Sequence, residues 1–209
     1  MKKGYLVILL VYSAFLVWLA SLYFTSGTPD EEVAPEKTEN LVINNILTRT
    51  SIRKFTSEPI QKDTIELLLR AGMAAPTGVN KQPWKFVVVT DRALLDTIGN
   101  NFKNASMIHE APLAIIPCGD QNNMLEGQLH DLWLQDCCAA AENILLAAHG
   151  LDLGGVWTWV YPTAEKVDKV REMLSLEPSL VPVCVIVLGH PAESPEPKDK
   201  WKPENVIWK

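Results

Sequence analysis

The sequence predicts a mixed α and β domain set behind a separate apolar N-terminal segment. Three observations carry this. Stretches with apolar residues at helical spacing alternate with short runs rich in Val and Ile. Hydrophobic residues at 47% and charged residues at 21% of 209 positions balance as in a globular chain, which excludes wholesale disorder. The longest uncharged run lies at the extreme N-terminus, ahead of a polar, acidic stretch.

That run follows Lys2 and Lys3 and is 26 residues long. Its core, 5–24, holds 20 residues; at about 1.5 Å per residue it spans roughly 30 Å, one bilayer core. The reading is a flank over 1–4, a single-pass anchor over 5–24, a polar linker over 25–40 and a folded domain over 41–209. The alternative is a signal segment cleaved near Thr25-Ser26-Gly27, with the domain exported. Basic residues before the run and Asp30, Glu31 and Glu32 after it orient the anchor. By the positive-inside rule, the N-terminus stays in the cytoplasm and the domain lies across the cytoplasmic membrane.

Within the domain, 62–75 places Ile65, Leu68, Leu69 and Met73 on one helical face, and 76–80 (PTGVN) breaks it. Segments 84–90 (WKFVVVT) and 112–118 (PLAIIPC) read as strands. The 21 residues of 91–111 between them carry no evident lid. Segment 131–149 is apolar almost all round, so the helix it predicts is buried on every side, in the domain centre or at a subunit contact. Segment 163–174 is an amphipathic helix with Val167, Val170 and Leu174 inward. The continuous apolar run 181–189 suits a central strand. A polar tail over 191–209, with a Lys cluster and two Trp, ends the chain.

The net charge of −6 argues against a broad nucleic-acid surface. Cys118, Cys137, Cys138 and Cys184 form no CxxC pattern and have no His at metal-ligand spacing; they read as small buried hydrophobes. The four His are scattered. Neither GxGxxG after a strand nor GxxxxGK[ST] occurs, so Rossmann and P-loop sites are excluded. Four segments remain that suit an anionic, planar ligand. In 49–55 (RTSIRKF), Arg49 and Arg53 with the hydroxyls of Thr50 and Ser51 form a candidate phosphate socket. In 75–84 (APTGVNKQPW), Pro76 and Thr77 stiffen a loop whose Asn80 and Gln82 amides can read a heterocycle edge. In 153–157, Gly154 and Gly155 let backbone approach a ligand closely. In 197–200 (PKDK), Lys198 and Lys200 add positive charge.

In order and spacing, RTSIRKF, APTGVNKQPWKFVVV, DCCAAAENILLAAHGLDLGGVW and PKDK resemble the motifs of the nitroreductase family of FMN-dependent oxidoreductases, from about Ile43 to Lys209. The resemblance implies an α+β, three-layer fold with a central mixed sheet flanked by helices, built as an intertwined homodimer. FMN lies at each of two shared sites. It implies that Arg49, Ser51, Arg53, Lys198 and Lys200 hold the phosphate and the ribityl or pyrimidine edge. Pro76, Thr77 and Asn80 come from the partner chain, and Gly154 and Gly155 lie near the flavin N5–O4 edge. It implies ping-pong transfer through flavin N5, from a donor such as NAD(P)H to a small aromatic or quinone-like acceptor, with no side chain as the chemical catalyst. An exported domain would instead draw on a membrane quinol or a small redox protein. The alternative is a membrane-tethered flavin-binding sensor or electron-relay protein without turnover of its own. Asp152 and Trp159 depart from the pattern, standing where many members carry glycine.

Overall fold

The computed structural model describes residues 12–13, 15–21 and 40–209. The chain divides into two units, Met1–Asn40 and Leu41–Lys209. In the first, residues 12–13 and 15–21 are helical and exposed. Among the described residues no helix is long and apolar enough to cross a membrane. This overturns the anchor expected over 5–24, and with it the placement of the domain at or beyond the cytoplasmic membrane. The rest of that span, the flank 1–4 and the linker up to residue 39 lie outside the described residues.

The second unit has five strands, β1 (Trp84–Val89), β2 (Leu113–Asp120), β3 (Gly154–Trp159), β4 (Leu180–Pro182) and β5 (Cys184–Gly189). The sheet order is β1-β2-β5-β3, with β4 beside the C-terminal end of β2, and all the ladders are antiparallel. An isolated bridge, Ser51 to Gly155, adds a parallel pairing next to β3. The expected α+β class holds. Strand β5 is buried throughout and β2 at all but its last residue, which is why both read as unbroken apolar runs.

The run expected as one strand over 181–189 is two. From Ile115–Ile186 to Cys118–Pro182, β2 advances three residues and its partner four. The extra residue makes a bulge beside Pro117. There the Val183 N–H donates to the Pro117 carbonyl, and the Val183 carbonyl accepts from both Val160 and Tyr161.

Five α-helices surround the sheet: α1 (Leu41–Thr48), α2 (Lys62–Met73), α3 (Arg92–Asn101), α4 (Leu132–Gly150) and α5 (Ala164–Met173). Helix α4 packs on α2 and on β1, β2, β3 and β5. A Cβ on Gly72 would lie 2.9 Å from Ile144 Cγ1, so α2 crosses α4 closely because Gly72 has none. One chain by itself does not bury α4 all round. Trp133, Cys137, Ala140, Ala141, Ile144, Leu145 and Ala148 are buried, but Leu134, Cys138, Ala139, Leu146 and Ala147 are only half-buried.

Helix α3 occupies the first half of the stretch 91–111. Asp91 caps it, accepting from the Leu94 N–H at 3.0 Å. Arg92 then ties the following turn down by donating to the Ile108 and Ala111 carbonyls. The hydrogen bond from His109, with Arg92 adding its charge, holds the Asp96 carboxyl below its usual range.

At the C-terminus of α4 the Leu153 N–H donates to the Ala148 carbonyl and the Asp152 N–H to that of His149, a complete Schellman turn. Asp152 takes the left-handed position at φ 57°, a conformation that Asp visits more readily than most non-glycine residues. Trp159, the other departure, is half exposed, with Lys166 Nζ 3.1 Å from a ring centroid.

Glycine requirements in the core can be tested directly. A Cβ on Gly119 of β2 would lie 2.3 Å from Cε3 of buried Trp133, whereas one on Gly150 meets nothing closer than 3.5 Å. Gly119→Ala should destabilise by about 1–3 kcal/mol through overpacking. Gly150→Ala should be neutral or stabilise by up to about 1 kcal/mol. Urea denaturation followed by circular dichroism checks both; equal midpoints for the two variants would contradict the packing described.

Candidate functional site

Segment 49–55 owes its place to two glycines that face each other across β3 and β5, Gly154 and Gly189. A Cβ on Gly154 would lie 2.8 Å from Ile52, and one on Gly189 would lie 2.9 Å from Phe55 Cδ1. The missing side chains leave a trough, and Ile52 and Phe55 are buried in it. The Ile52 N–H donates to the Gly155 carbonyl, the Thr56 N–H to that of His190, and the Ala192 N–H to that of Lys54. Apolar anchors at 52 and 55 thus fix the polar residues between and beside them.

Arg49, Thr50 and Gly155 line a cavity of about 300 Å³, together with Thr48, His149 and Pro197. Arg49 is mostly covered and pairs loosely with Glu142 at 3.6 Å. Thr48 Oγ1 lies 3.0 Å from His149 Nε2. A guanidinium with several uncommitted N–H groups, flanked by hydroxyls, is a donor set that fits a phosphate. Ser51 is half-buried at the bridge to Gly155 and Arg53 is exposed; neither is among the residues that line the cavity. Lys198 and Lys200 are exposed, and Pro197 in the cavity wall brings their segment to the same place. Gly155 has packing of its own to serve, since a Cβ there would lie 2.9 Å from Leu145. Trp159 is not among the lining residues, so it does not narrow the cavity.

The loop over 76–83 is held in an unusual backbone. Val79, Asn80 and Gln82 have φ of 46°, 56° and 52°, and for β-branched Val79 this is a strained conformation. Side chains on three sides maintain it. Thr77 Oγ1 accepts from the Gln82 N–H, and Gln82 Nε2 donates to Asn80 Oδ1. Asn123 Nδ2 donates to the Lys81 and Gln82 carbonyls. Asp136, buried on α4, accepts from the Gly78 N–H at 3.0 Å. Pro76 and Asn80 remain exposed.

The two groups of residues do not meet within one chain. The loop hangs from Asp136, while the cavity lies against Leu145 and His149. Along α4 these positions are about 14 to 20 Å apart at 1.5 Å per residue. Sequence reasoning missed Asp136, Asn123 and Glu193. Asp136 had a signal, a charged residue on the inward face of an apolar helix; Asn123 and Glu193 had none. The cysteines contribute no reactive thiol: burial pushes Cys118 up to about 12 and raises Cys137, Cys138 and Cys184 as well. Among the described residues no group of His, Cys, Asp and Glu could hold a metal ion.

Comparison with known proteins matches residues 46–190 to the model of the nitroreductase family. A protein named NADH dehydrogenase/NAD(P)H nitroreductase from Methanothermobacter thermautotrophicus is 41% identical over 165 residues, covering 79% of this chain and 85% of that one. The crystal structure of a protein of the same name from Bacteroides thetaiotaomicron gives a TM-score of 0.77 at 41% identity, covering 82% and 98% of the two chains. A nitroreductase from Desulfovibrio desulfuricans, solved in complex with FMN, gives 0.71 at 30% identity, covering 82% and 98%.

The Gly78–Asp136 hydrogen bond can be tested apart from these likenesses. Asp136→Ala should cost about 1–3 kcal/mol and speed amide exchange at residues 78–82, because the Gly78 N–H loses its acceptor. Asp136→Asn keeps an acceptor oxygen and should do much less. Hydrogen exchange that is unchanged in Asp136→Ala would contradict the anchoring role.

Proposed function

The chain belongs to the nitroreductase family, and from that premise we propose that it is an FMN-dependent oxidoreductase carrying reducing equivalents from NAD(P)H to a small aromatic or quinone-like acceptor. The observation that carries this reading is the glycine trough, which pins 49–55 so that Arg49 and Thr50 border the cavity. When bound, FMN supplies the redox chemistry, which explains why the site needs no side-chain acid, base or nucleophile.

The residues of this chain bind and orient. Arg49, Thr50 and Ser51 hold the phosphate, and Lys198 and Lys200 close on it from the tail. Arg53 supplies positive charge toward the pyrimidine edge, where a reduced flavin is anionic. Gly154 and Gly155 border the N5–O4 edge. Pro76, Thr77, Asn80 and Gln82 reach the same flavin from a second copy of the chain.

A homodimer is supported by what one chain leaves uncovered. No residue of α1 is buried; Leu41 is 80% and Leu47 69% exposed. In the tail, Ile207 and Trp208 are more than 80% exposed. Apolar surface on this scale marks an interface. The half-buried apolar residues of α4 are covered by the same association.

The purified domain should be yellow, with noncovalent FMN released by acid. Arg49→Ala should weaken FMN binding by about 2 kcal/mol, as for loss of a charged hydrogen bond, measured by fluorescence titration of the apoprotein. A colourless protein that FMN cannot reconstitute, or one that carries stoichiometric FAD, would contradict the proposal.

A further inference from the structure

The backbone of 49–56 uses its N–H groups unevenly. Those of Ile52 and Thr56 are taken by the Gly155 and His190 carbonyls. Those of Arg53 and Lys54 converge on one oxygen, Oε1 of Glu193, at 2.5 and 3.2 Å. Successive N–H groups aimed at one point make an anion-holding concavity, and here the chain fills it with its own carboxylate, from 140 residues away. A charged acceptor holds such donors more firmly than a neutral one.

Glu193 also forms part of the cavity wall, together with Ser194, Pro195, Pro197, Arg49, Thr50 and His149. Its backbone neighbour Ala192 is paired with Lys54. One side chain therefore joins the segment that carries Arg49, Ser51 and Arg53 to the segment that carries Lys198 and Lys200. We propose that Glu193 is a positioning residue that assembles the phosphate-holding half of the FMN site from these two segments. The inference rests on reading the cavity as that phosphate site.

The choice of a carboxylate has a consequence that separates positioning from mere stability. Its charge stands beside the place assigned to a phosphate, so it repels the ligand it helps to seat. Glu193→Gln keeps an acceptor oxygen and removes the charge; Glu193→Ala removes both. The measurement is the FMN dissociation constant of the full-length apoprotein at low salt, alongside the unfolding temperature of each apoprotein. Glu193→Ala should bind FMN about 10- to 100-fold more weakly than wild type. Glu193→Gln should bind at least as tightly as wild type. If Glu193→Ala does not fold, Glu193→Gln decides alone, and weakening by tenfold or more would overturn the proposal. Lowered unfolding temperatures with an unchanged dissociation constant would reduce Glu193 to a structural role and also overturn it. A wild-type protein that does not bind FMN would overturn the reading of the cavity itself, an outcome visible before any variant is made.

Discussion

The structure is organised by the length and rigidity of one helix. Over Leu132–Gly150, small buried residues let the sheet and α2 approach from two directions, and the helix becomes a fixed ruler between the two candidate regions. At one end Asp136 holds the strained loop by the Gly78 N–H; at the other Leu145 and His149 back the cavity that Arg49 and Thr50 border. Neither region can drift toward the other without breaking the packing of α4. The proposed flavin site takes them from two copies of the chain, and the uncovered apolar surface of α1 and α4 supports that arrangement.

Glycine does more in this fold than loosen a turn. Gly154 and Gly189 are opposed across a ladder, and the space they leave is filled by Ile52 and Phe55. The anchored segment is short and has few hydrogen bonds of its own, so its polar side chains are only as well placed as these two contacts and the Glu193 clasp allow. Local precision at the site is thus obtained by core packing, the usual way a binding constellation is held.

Much of this was legible in the sequence where one signal dominated. Helix α2 and helix α5 have an inward stripe, and β1, β2 and β5 have apolar runs of strand length, so each lies within a few residues of its expected bounds. Helix α3 was illegible because Gly99 and two Asn dilute its pattern. Gly99 is there because the His109 ring lies 2.6 Å from where its Cβ would be, a tertiary demand that no local reading can see. Strand β3 was hidden in the same way, since its paired glycines read as a turn and a ligand approach, whereas they first make room for Ile52 and Leu145. The candidate site residues were readable from residue type and order. Their division into two separate groups came only with the family resemblance, which assigns Pro76, Thr77 and Asn80 to the partner chain; residue type and order alone do not carry it, because it depends on the reach of α4. The N-terminal run carried the hydropathy and length that a membrane span needs, but among the described residues no helix is long and apolar enough to cross a membrane.

A site divided between two chains makes a stoichiometric demand on mixed dimers. One chain carrying Arg49→Ala and Arg53→Ala can be co-expressed with a differently tagged chain carrying Asn80→Ala and Gln82→Ala, and the mixed dimer isolated by sequential affinity steps. If each site takes its phosphate half from one chain and its loop from the other, one of the two sites collects every substitution and the other collects none. The expected result is one FMN per mixed dimer, against strongly reduced FMN in either variant alone. A mixed dimer as depleted as the parent variants would mean that each chain builds its site by itself, and would contradict it.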